Sequence, residues 1–268
     1  MNRMERIRCL NELLLEEMPE YRDQAAEFPE AGQRRLLRGL MNLRPPGGLS
    51  QAFLDLQDEL LSAERGEKGV VNAEHLPPTA RDPRLVLWRG DITRLAAGAI
   101  VDADNSGLLG CFCPCHGCID NAIHSAAGLQ LREECSRIMV AQGHPEAAGG
   151  AKLTAGYNLP SPYVLHTVGP VVQGRLREEE CRTLAKCYRS CLELAERRGI
   201  RSVAFCCLST GEFHFPNQRA AEIAVRTVQE FLDETGSEMK VIFNVFQEKD
   251  ERIYRALLDP DRTAEAGG

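Results

Sequence analysis

No apolar run in this chain approaches the roughly 18 residues needed to carry a helix across a membrane. Near the start, Leu13–Leu15 is too short for a signal-peptide core, and Glu16 and Glu17 close it at once. The cytoplasm is therefore the expected compartment, and no membrane partner is expected. Positive charge is not in excess either. Lys and Arg number 32 against 39 Asp and Glu, a net charge of −7. No basic stripe with interleaved aromatic residues is visible, so no nucleic-acid partner is expected. A small phosphorylated ligand stays compatible with this balance, because backbone amides bind phosphate without Lys or Arg. There is no internal repeat and no low-complexity tract.

What is present is ordinary in bulk and unusual in one place. Apolar residues make up 43% and charged residues 26% of 268 residues. That composition suits a soluble globular chain, either one large domain or one domain plus an extension, with length enough for a core without disulfides. The cysteines number eleven. An odd count in a chain of this length with no export signal argues against a disulfide framework. Cys9, Cys135, Cys181, Cys187, Cys191, Cys206 and Cys207 are scattered, and most read as small core fillers. Cys111, Cys113, Cys115 and Cys118 crowd into one segment, which in a reduced compartment points to metal or redox chemistry.

Residues 1–65 read as helices. Ile7, Leu10, Leu13, Leu14 and Met18 recur at helical spacing, and so do Phe53, Leu56, Leu60 and Leu61. Between them Pro45-Pro46-Gly47-Gly48 turns the chain, with Ser50 as a helix N-cap. The polar stretch 65–83, with Pro77, Pro78 and Pro83, reads as a link. From residue 84 the pattern alternates. Leu85–Trp88, Ala99–Val101, Tyr163–Val168, Ser202–Leu208 and Lys240–Phe246 read as buried strands. Asp120–Cys135, Glu178–Arg198, Pro216–Leu232 and Glu248–Leu258 read as helices. The alternation predicts an α/β layered fold. The helical extension is assigned to residues 1–80 and the main domain to 81–268, with the tail Thr263–Gly268 expected to fray.

Three segments carry chemistry, each after an expected strand. Gly90-Asp91-Ile92-Thr93 is a tight turn that either offers the Asp91 carboxylate to an exocyclic amine of a base or is a plain solvated turn. Ser209-Thr210-Gly211-Glu212-Phe213 leads into a helix near Pro216. Its backbone N–H groups can cradle a diphosphate at the helix N-terminus, with Phe213 walling the pocket; the alternative is an ordinary strand-to-helix loop. No Lys follows the glycine, so this is not a Walker loop.

The third and most specific segment is Cys111-Phe112-Cys113-Pro114-Cys115-His116-Gly117-Cys118. Thiolates and imidazole are preferred Zn²⁺ ligands, and ligands on one loop converge without long-range assembly. No second Cys-x-x-Cys follows at zinc-ribbon spacing. Cys115-x-x-Cys118 also fits a redox motif, but that reading leaves Cys111 and Cys113 unexplained. His116 needs an acceptor for its other ring nitrogen, not identifiable from sequence. Of the other histidines, His124 reads as a capping or core residue and His166 as structural within a strand. His214 sits in the phosphate-binding candidate loop, either against ligand or exposed.

These segments resemble the macrodomain family. Arg89–Thr93, Ala99–Ser106 and Leu208–Pro216 follow its order and spacing. Leu109–Cys111 and Cys118–His124 are similar to the zinc-containing subclass of microbial protein-ADP-ribose hydrolases. The resemblance covers roughly residues 85–258, and the helical extension is typical of that subclass. It implies a three-layer α/β/α fold around a mixed sheet, with ADP-ribose lying across the C-terminal ends of the strands. It implies that Gly90, Asp91 and Ile92 take the adenine end, with the Asp91 carboxylate on the amine and the Ile92 amide beside it. Ser209, Thr210, Gly211, Glu212 and Phe213 would wrap the diphosphate, and Asn105 would face the distal ribose, with Asp104 beside it in the candidate catalytic pair. Cys111, His116 and Cys118 would hold zinc in a C-x4-H-x-C pattern, with Cys113 and Cys115 as bystanders. Three protein ligands leave a position open, as in catalytic sites; a closed structural site would recruit Cys113 or Cys115.

The resemblance implies a zinc-dependent hydrolase that removes mono-ADP-ribose from acidic side chains. Its implied substrate is a protein, such as a lipoyl carrier, modified by a sirtuin-type transferase. A non-catalytic ADP-ribose reader is the alternative, since fold does not decide function. A zinc-stabilised interaction module is a third reading. The family's common Asn-Ala-Ala-Asn is here Asp102-Ala103-Asp104-Asn105. Asp keeps an acceptor and loses the amide donor. The two carboxylates either support the zinc site, supply a base, or repel a diphosphate, unless Asp104 points away as alternate strand residues do.

Overall fold

The structure, a computed structural model, describes residues 1–259; the tail expected to fray, Thr263–Gly268, lies outside the described residues. Four helices open the chain: α1 (Arg3–Glu17), α2 (Arg22–Ala26), α3 (Gln33–Leu43) and α4 (Gln51–Lys68). The Ser50 side chain accepts from the Phe53 N–H at 3.2 Å, the expected N-cap. Ile7, Leu10, Leu14, Leu37, Leu40, Phe53 and Leu60 form a core of their own, closed by Leu129 from the following domain. The polar link is not free chain: β1 (Val71–Asn72) pairs with β3 (Leu95–Ala96), and Ala73 is buried in the main core.

The main sheet holds β2 (Leu85–Arg89), β4 (Ala99–Asp104), β5 (Ala151–Ala155), β6 (Tyr163–Val168), β7 (Ser202–Phe205) and β8 (Lys240–Val245). Its order is β2-β8-β7-β4-β6-β5, all parallel except β5, which runs antiparallel to β6. Helices α5 (Ile119–Ala127) and α6 (Leu129–Gln142) pack on one face. Helices α7 (Glu178–Arg197) and α8 (Asn217–Thr235) pack on the other, and α9 (Glu248–Leu258) lies against β2 and β8. This is the expected three-layer α/β/α fold with a mixed sheet. Covering both faces explains why β4, β7 and β8 read as continuous apolar runs.

Three expectations shift. The segment read as one helix over 120–135 is two, broken at Gly128, whose φ is +97°. A Cβ there would meet the Gln57 amide at 2.6 Å, so the break is where α4 comes closest. Strand β5, Ala-Lys-Leu-Thr-Ala, was not expected; it is a half-exposed edge strand with a weak apolar signal. Strand β7 ends at Phe205, not Leu208, and Cys206–Leu208 leave the sheet as the start of the functional loop.

Candidate functional site

The parallel strands set the place. Strand β4 sends its chain to α5 on one face, while the neighbouring β7 sends its chain to α8 on the other. Their C-terminal ends therefore part and leave a crevice, where open α/β sheets bind ligands. A cleft of about 650 Å³ occupies this position, within the size range of small-molecule sites. Gly90, Asp91, Ile92, Ser209, Thr210, Gly211, Glu212 and Phe213 all line it, so both ligand-loop candidates meet there. Cys118 lines it from a third side, Arg38 from α3, and Phe246 and Asp250 from the end of β8 and from α9.

The Asp91 turn is tightly built. Its Oδ1 accepts from the Thr93 N–H at 3.0 Å and the Thr93 hydroxyl at 2.7 Å. Oδ2 lies 3.8 Å from Lys68 Nζ, so one carboxylate oxygen is committed to the turn and the other faces outward. In the second loop, Ser209 and His214 hold the left-handed region at φ 62° and 57°, which side chains other than glycine rarely adopt. His214 is exposed. Internal bonds hold the loop: His214 N–H to Gly211 O at 3.0 Å and Phe215 N–H to Ser209 O at 2.9 Å. The N–H groups of Gly211, Glu212 and Phe213 have no acceptor among the described residues. The Ser209 hydroxyl is buried without a partner. It sits where a Cβ on Gly169 would fall, 2.0 Å away, so only glycine fits at 169 in this arrangement. The N-terminus of the 19-residue α8 follows directly and adds partial positive charge.

The metal candidates converge as well. One ligand atom each from Cys111, His116 and Cys118 lies within 4.8 Å of the others. Cys111 Sγ is 3.6 Å from His116 Nδ1. Cys118 is the N-cap of α5, its sulfur accepting from the Asn121 N–H at 3.4 Å. Burial pushes the Cys118 thiol up to about 12; the Asn121 N–H opposes this, and the charges of Cys111 and Asp120 reinforce it. Two sulfurs this close favour their ionised forms only with a cation between them, and with the His116 imidazole beside them the donor set fits zinc. Cys113 is exposed, and the Cys115 thiol donates to Arg35 O at 3.4 Å. Neither joins the group, which leaves three ligands rather than a closed four. Cys115 is directed onto α3, away from a redox pairing with Cys118. The carboxylate near His116 is that of Glu212, whose Oε1 lies 3.6 Å from Nε2, just beyond hydrogen-bond distance.

The N-terminal helices brace this loop, which no local motif signals. Arg38 Nε and Nη2 donate to Asn121 Oδ1 at 3.1 and 2.7 Å, and Nη2 also reaches His116 O. Asn121 Nδ2 holds Cys113 O at 3.0 Å, and Asn42 Oδ1 accepts from the Cys115 N–H at 2.9 Å. Arg132, 2% exposed, donates to the carbonyls of Leu109, Met41, Asn42 and Arg44 and lies 4.3 Å from the centre of the Phe112 ring.

Asn105 and Asp104 differ from expectation. Asn105 is exposed at the end of β4 but outside the cleft lining. Its side chain accepts from the Gly107 N–H at 2.9 Å and donates to Gly110 O at 3.3 Å, folding the loop toward Cys111. Asp104 is not a base facing substrate, because it is 1% exposed beneath the helices. It shares that face with Asp102, two residues earlier on the strand, while Ala103 lines the cleft. Burial would raise Asp104, but the His166 imidazole bonded to it at 3.2 Å and the nearby His124 ring hold it well below the usual carboxylate range. Burial and the neighbouring Asp104 push Asp102 up to about 8. Burial lowers His124. It would lower His166 too, but the bond to Asp104 and the nearby carboxylates leave His166 raised. His166, read as structural, is in this buried group, as is His124.

The Macro domain family model matches residues 101–224. A protein-ADP-ribose hydrolase of Treponema medium is 50% identical over 96% of this chain and 100% of its own length. One of Staphylococcus aureus is 46% identical over 84% of this chain and 85% of its own. The crystal structure of a Trypanosoma brucei macrodomain in complex with ADP-ribose superposes with a TM-score of 0.64 at 34% identity, covering 82% of this chain and 94% of that one.

Proposed function

The chain belongs to the macrodomain family, and from that premise we propose that it is a protein-ADP-ribose hydrolase that removes mono-ADP-ribose from acidic side chains with a zinc ion held by Cys111, His116 and Cys118. One observation carries this reading. Cys118 of the three-ligand group lines the same cleft as the Asp91 turn and the Ser209–Phe213 loop, and the ligand atoms of Cys111 and His116 lie within 4.8 Å of its sulfur. A reader needs the two loops alone; a thiolate-imidazole group at their edge adds something to react with.

The chain's own groups account for binding. The outward oxygen of Asp91 accepts from the adenine amine, with the Ile92 amide beside it. The free N–H groups of Gly211, Glu212 and Phe213, the Ser209 hydroxyl and the α8 N-terminus take the diphosphate. Each would otherwise be an unmet donor, so binding them recovers hydrogen bonds the folded protein forgoes. The distal ribose then runs toward the β4 end, where Asn105 holds the loop that begins the zinc group. When bound, zinc supplies a Lewis acid that polarises an oxygen or lowers the pKa of a water. Glu212, whose Oε1 lies 3.6 Å from His116 Nε2, would on a small side-chain shift accept from that nitrogen and fix which ring nitrogen faces the metal. A lipoyl-carrier protein modified by a sirtuin-type transferase is the substrate carrier we propose, and this rests on the family resemblance.

The test is ADP-ribose release from a carboxylate-linked mono-ADP-ribosylated protein, before and after zinc removal. Release should stop on chelation and return with zinc. No release with zinc fully bound overturns the proposal for that linkage and moves weight to a reader. Glu212→Gln should weaken zinc binding about tenfold, since such outer partners tune ligand affinity, as read by competition with a chromogenic chelator. Unchanged affinity would assign Glu212 to ligand contact alone.

A further inference from the structure

A second group of ligand-type side chains lies between the sheet and helices α5 and α6, behind the loop that carries Cys111. Asp102 and Asp104 project from β4 on the same face, His166 sits beside Asp102 on the paired strand β6, and His124 faces them from α5. One ligand atom from each lies within 4.8 Å of the others, and none of the four residues is more than 5% exposed. His166 Nδ1 is 3.2 Å from Asp104 Oδ2 and 3.9 Å from Asp102 Oδ2. His124 Nε2 is 3.7 and 3.9 Å from Asp102 Oδ2 and Asp104 Oδ2.

Their surroundings do not satisfy them. Both Asp102 oxygens and both His124 ring nitrogens are buried without a hydrogen-bond partner. Buried polar atoms nearly always have one, and positions covered by helices on a parallel strand are normally apolar. The ligand cleft does not account for these residues either, since it is Ala103 that lines it. His166, by contrast, is oriented: its Nε2 meets Thr154 Oγ1 at 2.9 Å, which turns Nδ1 toward the carboxylates. An imidazole held at one nitrogen and offered at the other is the usual posture of a metal ligand.

We propose that Asp102, Asp104, His124 and His166 form a second divalent-cation site, taking Zn²⁺ or another first-row transition cation. Two imidazoles disfavour Mg²⁺ and Ca²⁺, which prefer all-oxygen shells, while two carboxylates balance the charge of the ion. Tetrahedral zinc with ligands at about 2 Å sets neighbouring donors about 3.3 Å apart. The 3.2 Å pair is already there, and the histidine–carboxylate separations of 3.7 and 3.9 Å need close by only about half an ångström. With four protein ligands the site is closed, hence structural: it ties β4, β6 and α5 together beneath the zinc loop. The four donors are residues other than those of the Cys111 group and include no sulfur; Asp120, with Oδ1 3.6 Å from His124 Nε2, lies between the two groups.

The experiment measures tightly held metal in the full-length zinc-loaded protein by mass spectrometry, beside Asp102→Asn/Asp104→Ala and Cys111→Ser/Cys118→Ser double variants. The first variant should lose one equivalent relative to the parent and the second variant the other. Cobalt substitution distinguishes them. The aspartate variant should keep the near-ultraviolet thiolate-to-cobalt band, and the cysteine variant should keep only weak visible absorption from a nitrogen-oxygen site. If the aspartate variant holds as much metal as the parent, or the cysteine variant binds no cobalt while folded, the proposal is overturned and the cluster is a metal-free proton-sharing network. Should the aspartate variant fail to fold, the cobalt spectrum of the cysteine variant decides alone. Failure of the loop zinc would appear separately, as a parent lacking the thiolate band.

Discussion

Cys118→Ser is expected to lower ADP-ribose release on the order of 10²–10³-fold, the scale of removing one preorganised electrophilic group from a transition state. The substitution is chosen because it separates chemistry from folding. Cys118 begins α5 and its sulfur caps the Asn121 N–H. Serine is a preferred N-cap, so the helix start survives while the thiolate ligand is lost. Asp91 and the 209–213 loop are untouched, so ADP-ribose affinity by calorimetry should change only a few-fold. Zinc content should fall in parallel with the rate. A variant without loop zinc that releases ADP-ribose at the parent rate would make this metal structural and return the chemistry to the chain's own groups. Lost binding together with lost release would show that the loop shapes the cleft itself.

The second large effect concerns stability. Arg132→Met should destabilise the fold by about 3–5 kcal/mol, the scale of leaving several buried carbonyls without their charged donor. For a chain of this size that corresponds to a melting point lower by roughly 6–20 °C. Arg132 comes from α6, yet three of its four carbonyl partners, those of Met41, Asn42 and Arg44, belong to the end of α3 and its exit. The fourth is Leu109, at the entrance to the Cys111–Cys118 loop. Burial pushes the guanidinium down to about 10, so it stays charged at neutral pH and each of these bonds is charge-assisted. Methionine fills similar volume and leaves four buried carbonyls unpaired. Thermal unfolding would measure this. A change under about 1 kcal/mol would mean that the apolar contacts of the N-terminal helices dock them without this clamp.

Both outcomes depend on residues read with very different ease from the sequence. The ligand loops were legible because each is local. The Gly90–Thr93 turn and the Ser209–Phe213 loop need only their own neighbours to take shape, and turn residues and strand periodicity are visible within a few positions, while the crowding of cysteines marks the third segment. The same holds for the alternation of strands and helices, and so for the three-layer fold. Gly128 and the edge strand β5 were misread for the opposite reason. The first is a helix break imposed by contact with α4, and the second is a strand whose pairing, not its composition, makes it one.

Local pattern alone thus carries where backbone amides are offered, where cysteines crowd together, and the order of layers. How these devices face one another comes from the packing of distant segments. That packing brings Glu212 to within 3.6 Å of His116, lays Arg38 and Asn42 of α3 against the cysteine loop 78 and 73 residues later, and turns Asp102 and Asp104 inward to meet His124 and His166. Those relations follow from packing between distant segments, where many pairings are compatible with one local pattern and the burial of both cores selects among them.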